Sequence, residues 1–127
     1  SRFLALALKG EDITIYGDGS QTRTFTYIDD NIDTIATIMN NKLLENDVIN
    51  IGSEKLMTVL ELANLVIKIT NSKSKIVHVP ALKEGDMTRR QPDNTKMKEI
   101  LGRELISVED GIKKMMASEK YLKSIGL

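Results

Sequence analysis

Short β-branched runs alternate with longer stretches of helical period along this chain, and that alternation restricts it to mixed α/β architectures. Ile13-Thr14-Ile15-Tyr16 reads as a strand, Gly17-Asp18-Gly19-Ser20 as a turn cluster, and Thr24-Phe25-Thr26-Tyr27 as a second extended piece. The expectation is a strand, a hairpin-like polar loop and a strand. Before them, Phe3, Leu4, Ala5, Leu6 and Leu8 form the last turns of an apolar helix that stops near Gly10, and the pattern suggests a start upstream of Ser1. After them, Asp29 or Asp30 can cap a helix that carries Ile32, Ile35, Ala36, Ile38 and Met39 on one face and ends around Asn40-Asn41. Val48-Ile49-Asn50-Ile51 is expected to be a short strand ending at Gly52. Thr58 and Glu61 have capping-box spacing, which opens a helix to about Thr70, and Lys75 to Val79 is the next strand, closed by Pro80. Helices are expected at Thr95–Leu101 and from Ser107 to about Leu122, the latter with Val108, Ile112, Met115 and Met116 on one side. The spacing thus predicts an α/β unit of short strands and about five helices spanning residues 1–127, with polar loops at 17–23 and 82–94 and no internal repeat.

Composition removes several function classes. Eighteen basic residues balance eighteen acidic ones, so no broad positive field exists to hold a phosphate backbone, and nucleic acid is not an expected partner. With no cysteine and one histidine, His78, a disulfide framework, a thiolate or multi-histidine metal site and a cysteine nucleophile are excluded. The stretch Val59–Ile69 is interrupted by Glu61, Asn64 and Lys68, well short of the roughly 20 apolar residues of a membrane helix. No leader of basic and apolar residues opens the chain, so the expectation is a soluble, cytoplasmic protein with no membrane partner. A serine at position 1 suggests processing or truncation.

Two loops carry candidate chemistry. In Gly17–Arg23 the glycine turn invites comparison with phosphate-binding loops, because exposed N–H groups can cradle an anion. The dinucleotide fingerprint fails, since Thr22 stands where its third glycine belongs and a β-branched segment follows, and the P-loop lysine is absent. Arg23 remains, a planar fork of donors suited to phosphate or carboxylate oxygens, unless it is a solvated hairpin arginine. The second loop holds Asp86, Arg89, Arg90, Pro92 and Asp93. Its arginines either clamp a dianionic ligand together with Arg23 or pair with Asp86 and Asp93 at the surface. His78 is read as structural, Asp29-Asp30 as a helix-start cap, and Met115 and Met116 as core filling. A tyrosine base with a lysine four residues on is missing: Tyr16, Tyr27 and Tyr121 are followed at that distance by Ser20, Asn31 and Ile125. No reaction centre is visible.

The runs Ile13 through Asp30, Ile49-Asn50-Ile51-Gly52, Asp86 through Asp93 and Ser107 through Ile112 together resemble the C-terminal part of the extended short-chain dehydrogenase/reductases that act on nucleotide sugars, the NAD-dependent epimerase/dehydratase family. The UDP-glucuronate decarboxylase (UDP-xylose synthase) branch looks nearest, with dTDP-glucose 4,6-dehydratases and UDP-glucose 4-epimerases as neighbours. The resemblance implies a lyase or epimerase that oxidises the sugar C4 hydroxyl with NAD, whose N-terminal Rossmann half carries the glycine motif and the Tyr-x-x-x-Lys pair. This chain is then the C-terminal substrate-binding domain, binding no NAD by itself and inactive alone, with a UDP- or dTDP-sugar and the missing Rossmann half as partners. By the family's pattern Ile15 and Tyr16 border the nucleoside, Arg23 reaches the diphosphate or the sugar carboxylate, and Arg90 contacts the diphosphate side; Gln21 and Asp93 complete the candidate substrate-binding set. Arg89 and Met87 depart from the pattern, which leaves open whether Arg89 or Arg90 faces ligand. The helix from Asp29 and the strand at 48–51 are expected to pack on the Rossmann half. Without it they leave an apolar surface open to homodimer formation. The alternative from another class is a standalone, non-catalytic binding or interaction module.

Overall fold

The structure is a computed structural model that describes residues 1–81 and 91–127. Helix α1 (Arg2–Lys9) turns Leu4 and Ala7 inward and ends where Gly10 adopts a left-handed φ of 71°. Strand β1 (Ile13–Tyr16) follows and buries Ile13 and Ile15 on one face, as period-two alternation requires. Next come β2 (Thr22–Thr24), α2 (Ile28–Asn40), β3 (Leu56–Thr58), α3 (Val59–Thr70) and β4 (Ile76–Val79). Helices α4 (Thr95–Leu101), α5 (Val108–Met116) and α6 (Glu119–Ser124) complete the described chain, which is mixed α/β as the alternation predicts. Leu4, Ala7, Ile13, Ile15, Ala63, Val66 and Ile112 form the core, so α1, β1, α3 and α5 pack as one body, with Met115 and Met116 against it.

The expected hairpin does not form. β1 pairs in parallel with β4, Ile13 opposite Ile76 and Tyr16 opposite Val79, whereas β2 pairs antiparallel with β3, Arg23 opposite Met57. The reason lies in the turn between them. The Gly19 and Gln21 carbonyls accept the N–H groups of Leu60 and Val59, each at 3.1 Å, so the first turn of α3 draws the chain away from β1 and onto β3. Gly19 is needed there: its φ is +78°, and a Cβ on it would lie 3.0 Å from the Leu60 Cβ.

Three further expectations are corrected. Residues 48–51 are not a strand; Val48 is 82% exposed, and the strand in this region is β3 at Leu56–Thr58. The last helix is two helices, because the Ser118 hydroxyl accepts the Tyr121 N–H and starts a new one. At the start of α2 the cap position belongs to Tyr27, with no side-chain capping bond, and Asp29 and Asp30 lie inside the first turn. Asp30 is fully buried and takes Arg103 Nη1 at 2.6 Å and the Ile106 N–H at 2.9 Å, which fastens α2 to the α4–α5 connection. The helix is consequently turned with Asp30 and Thr34 inward and Ile28, Ile32, Ile35 and Met39 outward. Among the described residues no helix is long and apolar enough to cross a membrane.

Candidate functional site

The Gly17–Gln21 turn is held from within and from both flanks. The Gly17 N–H donates to the Val79 carbonyl at 2.9 Å, and the Gly17 carbonyl lies 2.8 Å from His78 Nδ1. The Asp18 carboxylate accepts the Ser20 N–H (2.9 Å) and hydroxyl (2.7 Å), which hold its pKa below the usual carboxylate range. The Gln21 side-chain amide donates to the Tyr16 carbonyl at 3.2 Å. The Gly17 and Ser20 amides are therefore committed inside the protein, with Asp18 as the anion, and so are the first-turn amides of α3. The phosphate-cradle reading of the glycine turn is not supported; Arg23 is the donor group this segment carries.

Arg23 lies at the centre of β2, half-buried, with Nη1 donating to the Thr22 carbonyl at 2.8 Å. Ile15 points into the core at 1% exposure, and Tyr16 is exposed at the strand end. From the second loop, Arg89 and Arg90 lie outside the described residues. Its exit is well defined. Gln91 donates to the Glu54 carbonyl at 2.8 Å, the buried Asn94 amide donates to the Gly52 carbonyl at 2.9 Å, and the Asp93 carbonyl accepts from Asn50 at 3.2 Å. The Asp93 carboxylate caps Thr95, taking its N–H at 3.0 Å and its hydroxyl at 2.8 Å, and those bonds lower its pKa.

Residues 52–54 join the two loops. On one side the Ser53 N–H donates to Thr26 Oγ1 at 2.7 Å, just past β2; on the other, Gly52 and Glu54 receive Asn94 and Gln91. Thr26, Ser53 and Asn94 are the residues that sequence reasoning missed. Their partners stand 27 and 42 positions away, and no local spacing signals such bonds. His78 fits the structural role expected of it, on the turn rather than in the core. Among the described residues no group of three His, Asp or Glu side chains is arranged to hold a metal ion.

The segment Ile13–Asp30 falls within the stretch that a known family matches. A family described as "NAD dependent epimerase/dehydratase family" matches residues 1–52. Its match takes in α1, both strands of the arginine segment, α2 and the residues up to Gly52. The chain is 42% identical to a UDP-N-acetyl-alpha-D-glucosaminuronate decarboxylase of Bacillus cytotoxicus over 104 residues, 78% of this chain and 32% of that protein. It is 37% identical to UDP-glucuronic acid decarboxylase 1 of Danio rerio over 90% of this chain and 27% of that one. Among solved structures, UDP-glucuronic acid 4-epimerase of Bacillus cereus, in complex with UDP-glucuronic acid and NAD, superposes with a TM-score of 0.79 at 28% identity, covering 98% of this chain and 39% of that one. The chain thus spans between about a quarter and a third of the length of the curated relatives it matches.

NAD is present in that epimerase structure, and the glycine turn of this chain does not hold its Gly17 and Ser20 amides open for a diphosphate. The glycine turn precedes a strand rather than a helix, and its Gly17 and Ser20 amides are engaged by Val79 and Asp18. The segment thus carries a half-buried guanidinium at Arg23 and an exposed aromatic ring at Tyr16, side-chain types suited to a charged group and a planar one.

Proposed function

We propose that this chain is the substrate-binding domain of an NAD-dependent sugar-nucleotide decarboxylase, and that it grips the nucleotide diphosphate of a UDP-sugar acid. The observation that carries the reading is the junction at 52–54, which brings the exit of the Arg23 strand and the exit of the second arginine loop to one short segment. Two loops so tied can hold a dianion from two sides, which orients the sugar by charge-assisted contacts at its diphosphate. The decarboxylases among the relatives favour a sugar acid as substrate over a neutral sugar. In this reading Tyr16 borders the nucleoside while Ile15, buried in the core, anchors that end of β1, Arg23 and Gln21 face the diphosphate with Arg90 from the second loop, and Asp93 fixes that loop's exit. The hydride chemistry and NAD belong to the remaining two thirds of a relative-length protein, and the outward face of α2 with residues 48–51 seats against that part.

Calorimetric titration of the 127-residue chain with UDP, UDP-glucuronate, dTDP and NAD tests this. UDP and UDP-glucuronate are expected to bind and NAD is not. Arg23→Ala is expected to weaken UDP binding by about 2 kcal/mol, as for a lost charge-assisted contact. Unchanged affinity in that variant removes Arg23 from the site, and tight NAD binding overturns the assignment of NAD to the remainder of the protein.

A further inference from the structure

We propose that His78 is a positioning residue for the Gly17–Arg23 segment, acting as an imidazole whose proton is on Nδ1. The inference rests on the reading of that segment as diphosphate-facing.

His78 lies in β4 opposite Ile15, yet its ring reaches two residues further along the neighbouring strand, to the Gly17 carbonyl at 2.8 Å. A carbonyl only accepts, so the nitrogen facing it must carry hydrogen; the neutral ring is then the Nδ1–H tautomer with its lone pair on Nε2. The adjacent residue, Val79, takes the Gly17 N–H on its carbonyl. Both polar backbone groups of the turn's first residue are therefore gripped by two consecutive residues of β4. The turn's last residue is gripped too, Gln21 by its carbonyl on Val59 and by its side chain on Tyr16. Arg23 stands two residues beyond, on a three-residue strand.

The consequence follows from the difference between these bonds. The Val79 and Val59 contacts are backbone bonds, which any sequence with this fold makes. The His78 contact depends on side-chain identity, and it is made by an exposed ring with little packing to lose. Removing it should loosen the turn that sets the approach of Gln21 and Arg23 and leave the core untouched.

Nuclear magnetic resonance of the ligand-free 127-residue chain tests this without any appeal to binding. In the native chain the His78 ring proton is expected on Nδ1, coupled to the Gly17 carbonyl. In His78→Ala, amide exchange across residues 17–23 is expected to rise about tenfold while α1 and α3 keep their protection, as loss of one hydrogen bond from a local opening unit predicts. His78→Asn, whose side-chain amide supplies a donor, is expected to restore most of that protection. A proton on Nε2, unchanged exchange in the alanine variant, exchange rising equally throughout the chain, or no rescue by asparagine each overturns the proposal. Failure of the diphosphate reading shows elsewhere: UDP affinity then fails to respond to Arg23→Ala while the His78 results stand.

Discussion

Asp30 has 0% exposure in a helix whose isoleucines face outward, so its carboxylate rather than any apolar stripe sets the rotation of α2. Arg103 bridges Asp30 and Asp33, both at 2.6 Å, and the Ile106 N–H completes the Asp30 shell. In Asp30→Ala the Ile106 N–H loses its acceptor and Arg103 keeps the more exposed Asp33 and the Glu104 carbonyl. The expected cost is about 2 kcal/mol in urea unfolding, and Asp33→Ala should cost much less. Two exposed carboxylates contribute a pH dependence of defined sign. Asp18 and Asp93 are held below their ordinary value near 3.8, first by the Ser20 and Thr95 N–H groups and then by the hydroxyls of the same residues. Folding favours their ionised forms, so this contribution is complete above about pH 4 and is lost as pH falls through the lowered values. The double variant Asp18→Asn, Asp93→Asn should show a shallower loss of stability below pH 4 in acid titration. None of these roles was legible beforehand. Asp29-Asp30 looked like a cap because local rules see only local partners, and Arg103 lies 73 positions from Asp30.

Elements whose determinants are local were legible. The box predicted from Thr58 and Glu61 is present in both halves, Thr58 Oγ1 taking the Glu61 N–H at 3.0 Å and the Glu61 carboxylate taking the Thr58 N–H at 2.7 Å. Thr58→Ala should therefore cost about 1 kcal/mol, read as a lower thermal midpoint with unchanged topology. Helices α1, α3 and α4 and strands β1 and β4 were placed within a residue or two for the same reason. Pairing is where local reasoning stopped: Thr22 to Thr24 find Leu56 to Thr58 across more than 30 positions, and neither run has the length or alternation to announce a partner. Gly19 did announce itself, as a turn residue, but the sequence does not reveal that the turn lands on a helix N-terminus. Gly19→Ala combines a positive φ with a 3.0 Å approach to Leu60 and should cost about 2 kcal/mol. Because that residue steers β2 toward β3, its amide exchange should rise in β2 before it rises in α3.

On the scale of the whole molecule, most of the exposed large apolar side chains among the described residues gather in one region. Ile28, Ile32, Ile35 and Met39 lie on one helix, and Leu43 and Val48 continue beyond its end. Apolar surface gathered in this way suits a contact face; the resemblance leads one to expect exposed apolar residues at these elements, where periodicity alone would bury them. Inward, α2 offers Asp30 and Thr34, which already have partners in Arg103, Ile106 and the helix backbone. Rotating the helix to hide its isoleucines would break that polar set, so the face stays outward in the free chain. The free 127-residue chain should therefore gain mass with concentration in light scattering. Ile32→Glu combined with Met39→Lys places two charges on the face at positions more than half exposed, so it should suppress that gain and leave the thermal midpoint within a degree or two. Association that persists in the double variant would place the contact elsewhere. A large fall in midpoint would mean that α2 packs against the fold through the face that the geometry turns outward.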